Sequence, residues 1–172
     1  MRVAMAHQDR FKRIIAANTM LPTGNAPVSE IFTQWVEFSQ HVPVFPAAGV
    51  VDLGTVSPLS EEVKAAYDAP YPDENYKAGA RIFPKLVPVQ ADAPQAAENR
   101  LAWQELRQWE KPFLTLFSDQ DPITKGGDDI FQKQVPGTKG QAHHTIKNAG
   151  HFLQEEKGEE LAQHTINFIQ NT

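Results

Sequence analysis

The sequence has 172 residues, 41% hydrophobic and 22% charged, which excludes a disordered or fibrous chain and fits one globular domain burying roughly two-thirds of its unfolded surface. Its net charge is -5 with no long Lys or Arg run, which argues against a nucleic-acid partner. The absence of cysteine rules out disulfides, thiolate nucleophiles and Cys-based zinc sites.

No stretch approaches the roughly 20 apolar residues that cross a bilayer, and "MRVAMAHQDRFKR" has no signal-peptide core. A cytoplasmic chain with no membrane partner is expected. The opening residues, with Val3, Ala4 and Ala6 and no cap before them, read as the end of a helix. "IIAANT" at 14–19 follows as a buried parallel strand. Residues 22–94 then hold 10 of the 13 prolines, which predicts short helices broken by turns. One is "SEIFTQWVEFSQ", capped by Ser29, with Ile31, Trp35 and Phe38 at helical spacing. Another runs from about Asp92 to Trp109 with Ala102, Leu106 and Trp109 along one stripe.

Beyond this helical insertion the pattern alternates. "PFLTLFS" at 112–118 and "AHHTIKN" at 142–148 are strands, separated by a short helix in "GDDIFQKQVPG". The tail places Ala162, Ile166 and Ile169 on an amphipathic helix. Strand, helix, strand, helix implies a parallel α/β sheet with right-handed crossovers. The divisions are 1–21 (helix end and core strand), 22–109 (helical cap) and 110–172 (C-terminal part of the core).

Ligands in open α/β sheets bind outside the carboxyl ends of the strands. Two acids, Asp119 and Asp121 in "LFSDQD", follow one strand there, and His151 in "NAGHFLQEE" follows the next. That is the arrangement a base and its orienting acid require, although an acid before Pro122 also serves as a turn cap. His143 and His144 are adjacent on a strand and face opposite ways, so a metal site is not expected, and His7, His41 and His164 receive no role.

Together, "RFKRIIAANTMLPTG", "FTQW", "AAYDAPYPDENYKAGARIFPKLVP", "FSDQDPIT" and "NAGHFLQEE" resemble the haloalkane dehalogenases, α/β-hydrolases that cleave carbon–halogen bonds through an alkyl-ester intermediate. The resemblance implies a partial α/β-hydrolase fold: the last three parallel strands with flanking helices plus a helical cap. It implies His151 as general base, Asp121 as its acid partner with Asp119 second, and Trp35 as halide donor. Phe32, Phe83, Pro84 and Val87 would line the pocket, with Ile123 and Phe152 flanking acid and base. No cofactor or metal is implied, and the partner is a small halogenated alkane. The family's nucleophile is an aspartate on a strand-to-helix elbow followed by Trp, and no such motif is present. By the resemblance it belongs shortly upstream of Met1, so the isolated chain is expected to be close to inactive, with an uncovered edge at 14–19 and a missing N-terminal half as partner. Two alternatives stay open: an epoxide hydrolase using tyrosines such as Tyr67, Tyr71 and Tyr76, and a non-catalytic remnant binding a small apolar ligand.

Overall fold

Three short segments become strands, and the middle one organises the rest. In the computed structural model, which describes all 172 residues, β1 (Ile14–Ala17), β2 (Phe113–Ser118) and β3 (His144–Ile146) form a parallel sheet in the order β1-β2-β3. Ile14 pairs with Phe113 and Leu116 with His144. All six residues of β2 are buried, as expected for a parallel strand covered on both faces.

The alternation along β2 divides the core. Phe113 and Phe117 face a cluster with Ala4, Trp103, Leu106, Trp109, Phe131 and Val135, supplied by α1 (Arg2–Ala6), α6 (Ala96–Leu106) and α7 (Gly127–Gln134). Trp103 and Phe131 stack there with centroids 5.4 Å apart, a contact worth about 0.5–1.5 kcal/mol beyond its buried area. Leu114 and Leu116 face Phe168 of α9 (Gly158–Gln170), with Leu161 alongside. On its other edge β1 has no strand neighbour, and Ile14 and Ile15 are partly exposed.

Between β1 and β2 the chain makes α2 (Glu30–His41), α3 (Ala47–Leu53), α4 (Glu61–Asp68), α5 (Ala78–Ile82) and 3-10 turns at 74–77 and 84–86 before reaching α6. Ser29 caps α2 by accepting from the Phe32 N–H at 3.2 Å. No helix is long and apolar enough to cross a membrane.

Two differences from the sequence reading have physical reasons. The helix expected from Asp92 begins at Ala96, because the ring of Pro94 disfavours helical backbone at the residue before it. On α9, Ile166 and Ile169 are 47% and 48% exposed, and Leu161 and Phe168 face the sheet instead. Two adjacent apolar stripes share that helix, reached through the short α8 (Leu153–Glu156), and the one carrying Leu161 and Phe168 packs on β2.

Candidate functional site

The loops after β2 and β3 run side by side past the strand ends. The Asp119 N–H donates to the Ile146 carbonyl (3.0 Å) and the Gln120 N–H to that of Ala149 (3.1 Å). This zipper carries Asp121 to His151, with Nδ1 of the ring 3.0 Å from Asp121 Oδ2. A carboxylate can only accept, so Nδ1 holds the shared proton, and in the neutral ring this tautomer leaves the lone pair on Nε2.

Asp121, 1% exposed, is also a turn cap. Oδ1 accepts from the Ile123 N–H at 2.8 Å, and Oδ2 accepts from the N–H and hydroxyl of Thr124 as well as from His151. Burial on its own pushes this carboxyl up, yet the bonds from His151, Thr124 and Ile123 together outweigh it and hold Asp121 below the ordinary carboxylate range. One acid thus serves both uses between which the sequence left it. Asp119 is engaged elsewhere, accepting from the Asn148 N–H at 2.9 Å and lying 3.8 Å from Lys147 Nζ.

The backbone of the His151 loop is pinned from three sides. Its own N–H donates to the Gly54 carbonyl at the end of α3 (2.7 Å). Glu156 accepts from the Gly150 N–H (2.7 Å) with one oxygen and from Val56 and Ser57 with the other. Asn18 donates through Nδ2 to Ser118 Oγ (2.8 Å), Gly150 O (2.9 Å) and His151 O (3.0 Å), while its Oδ1 accepts from the Ser118 N–H. Position 150 has to be glycine, because a Cβ there would sit 2.4 Å from the Gly54 oxygen.

Asn18, Gly54 and Glu156 were not singled out from sequence. The one available signal was an asparagine directly after a strand; the structure gives Asn18 a left-handed φ of 36°, a conformation that asparagine tolerates. The Ser118 hydroxyl at the end of β2 is buried and donates to Gly150 O at 2.7 Å.

A cavity of about 470 Å³ lies between the insertion and the core, and Phe32, Val87 and Ile123 line it with Leu21, Trp103 and Phe131. Ile123, whose N–H bonds Asp121, joins this cavity to the dyad. Phe83, Pro84, Phe152 and Trp35 do not line it. Phe83 is exposed and Pro84 buried beside it, while Phe152 meets the His151 ring edge-on at 5.2 Å. Trp35 is half-buried, stacked on Phe38 and tilted against Phe45 at 5.9 Å each. Phe45 is in turn held by Glu74, which accepts its N–H and ion-pairs with Lys77 and Arg81. Among the tyrosines, Tyr67 commits its hydroxyl to Glu155 at 2.6 Å, and Tyr76 is exposed.

No protein-family model matches the chain. It is 55% identical over 169 residues to a haloalkane dehalogenase of Psychrobacter cryohalolentis, covering 98% of this chain and 56% of that protein. A haloalkane dehalogenase of Mycobacterium marinum is 45% identical over 168 residues, again covering 98% of this chain and 56% of the relative. The chain thus spans little more than half the length of these relatives. Among solved structures, the tetrameric haloalkane dehalogenase DpaA from Paraglaciecola agarilytica superposes with a TM-score of 0.81 at 29% identity, over 94% of this chain and 54% of that one. By sequence and by fold, the chain is a homologue of the haloalkane dehalogenases and corresponds to the C-terminal part of their α/β-hydrolase fold.

Proposed function

We propose that this chain carries the water-activating half of a haloalkane dehalogenase, which converts a small haloalkane and water to a primary alcohol, halide and a proton. The observation that carries the reading is the His151–Asp121 pair, held at the ends of adjacent parallel strands with Nε2 free of any partner in the chain. In this reading a carboxylate from the portion of the relatives that the chain does not span displaces halide in line and forms an alkyl ester. His151 Nε2 then takes a proton from the water that attacks the ester. Asp121 holds the ring in the right tautomer and stabilises the imidazolium. Trp35 takes the halide-donor role that the resemblance in "FTQW" implies; its indole N–H bonds to nothing else in the chain, and its ring lies outside the cavity of Phe32, Val87 and Ile123. A fixed N–H in a dry site stabilises a departing anion without reorganising.

Phe32, Val87 and Ile123 form apolar walls suited to an apolar substrate, whereas Phe83, Pro84 and Phe152 lie outside this cavity and take no part in them. The part of 22–109 before α6 acts as the cap, while α6 (Ala96–Leu106) packs on β2 and belongs with 1–21 and 110–172 to the core. A cytoplasmic setting is part of this reading.

The test joins this chain to the uncovered N-terminal portion of the Psychrobacter relative and follows halide release from a 1-haloalkane. Turnover is expected, and His151→Ala is expected to give one equivalent of halide and then stop with a covalent ester visible by mass spectrometry. A folded chimera that releases no halide, or a His151→Ala form that keeps turning over, refutes the assignment.

A further inference from the structure

Away from the dyad, β3 and α9 bring together three side chains of metal-binding type. His144 opens β3, while Glu160 and His164 lie one turn apart and share a face of α9. His144 Nε2 is 3.4 Å from Glu160 Oε1, and the His144 and His164 rings stack with centroids 4.2 Å apart. One donor atom from each of the three lies within 4.8 Å of the other two. Glu160 has no Lys or Arg partner in the chain and pairs with His144 instead.

The sequence reading set metals aside because His143 and His144 diverge, and those two do diverge. His143 turns inward, where Nδ1 accepts from the Thr115 N–H (3.0 Å) and Nε2 donates to the Thr138 carbonyl (2.8 Å). His144 turns toward α9 and meets a histidine on a separate element, a pairing that no local spacing announces.

We propose that His144, Glu160 and His164 bind one divalent transition-metal ion of the zinc class. Two imidazoles and a carboxylate suit Zn²⁺, Ni²⁺ or Cu²⁺, whereas Mg²⁺ and Ca²⁺ favour all-oxygen sets. At zinc–nitrogen distances of about 2.0–2.1 Å, tetrahedral ligand atoms stand about 3.3 Å apart. Side-chain rotation at His144 and Glu160, which are 43% and 40% exposed, supplies that closure and leaves a position for water. The ion would join the two elements that bracket residues 147–157, the segment carrying His151, and would therefore bind the folded chain and not the unfolded one.

The experiment is calorimetric titration of ZnCl₂ into the full, EDTA-stripped chain, with thermal unfolding in parallel. One site per chain is expected, and a Tm rise of about 5–10 °C at a metal concentration one hundred times Kd. MgCl₂ should produce neither. His144→Ala and His164→Ala should each weaken binding by more than about tenfold, the lower end of the loss caused by removing even an outer-shell partner. Glu160→Gln, which keeps the size and removes the anionic ligand, should also weaken it. His41→Ala removes an exposed histidine 3.3 Å from Glu37 on α2 and should change nothing. Undiminished zinc affinity in both His164→Ala and Glu160→Gln overturns the proposal, as does loss of binding in His41→Ala, or no binding up to millimolar zinc.

Discussion

Replacing Asn18 tests the claim that a strand-end amide positions the His151 loop. In Asn18→Ala the buried Ser118 N–H loses its acceptor and the His151 carbonyl loses a donor, while Gly150 O keeps the Ser118 hydroxyl. One buried unpaired donor costs about 1–3 kcal/mol. The left-handed φ of 36° is borne by asparagine and alanine alike, since both carry a Cβ, so it adds little to this substitution. The loss, about 1–3 kcal/mol, is a sizeable fraction of a typical domain stability of about 5–15 kcal/mol. For a chain of this length it corresponds to a Tm fall of about 2–12 °C.

Two companions separate the terms. Asn18→Gly removes the bonds but not the backbone freedom, so it should be about 1–2 kcal/mol milder than alanine. Asn18→Asp keeps the shape but turns a donor into an anion facing two carbonyls, so it should be at least as damaging as alanine. Urea unfolding measures all three, and amide exchange at 148–152 reports whether the loop loosens. An Asn18→Ala loss below about 0.5 kcal/mol, or a tolerated Asn18→Asp, would refute the reasoning, since the clamp needs both the bonds and the amide's direction.

The remaining predictions address charge, backbone contact and the proposed halide donor. Hydrogen bonds from Lys77 first, then from Arg81 and the Phe45 N–H, lower Glu74 from 4.5 to about 2. Because its folded pKa is depressed, the stability it contributes is complete above pH 4.5 and is lost as pH falls from 4.5 toward 2. Acid unfolding of the native chain and Glu74→Gln should therefore converge below that window, and parallel curves throughout would contradict the ion-pair network. Gly150→Ala forces a Cβ to within 2.4 Å of the Gly54 oxygen and should cost about 1–3 kcal/mol of overpacking strain, visible as a lower urea midpoint and a shifted His151 ring resonance by NMR. In the active chimera, Trp35→Phe retains the packing on Phe38 and Phe45 but removes the N–H. Halide release should slow by about 10²–10³-fold, as for the loss of one charge-stabilising donor; an unchanged rate removes Trp35 from that role.

What the sequence determines by itself is local. The strands at 14–17 and 113–118 are legible as short, largely apolar runs bounded by Pro, Asn or charged residues, and the one at 144–146, His-Thr-Ile, by its place in the strand–helix alternation. The Ser29 cap is legible because an N-cap is decided within four residues. The parallel order follows from the alternation of strands and helices, and that order alone brings an acid after β2 and a histidine after β3 to the same edge. Composition and spacing leave Asp119 and Asp121 equivalent. The resemblance ranks Asp121 first, and the folded loop gives the physical reason, because the zipper of Asp119 and Gln120 onto β3's loop aims the second acid at the ring.

The tertiary structure likewise decides which stripe of α9 is buried, that Asn18 and Glu156 grip the His151 loop, and that His144 meets His164. Apart from the short-range bond of Glu156 to Gly150, each of these joins residues well separated in the chain. Helical and strand periodicity reports which residues share a face of one element, but the partner of that face is set by how the elements pack.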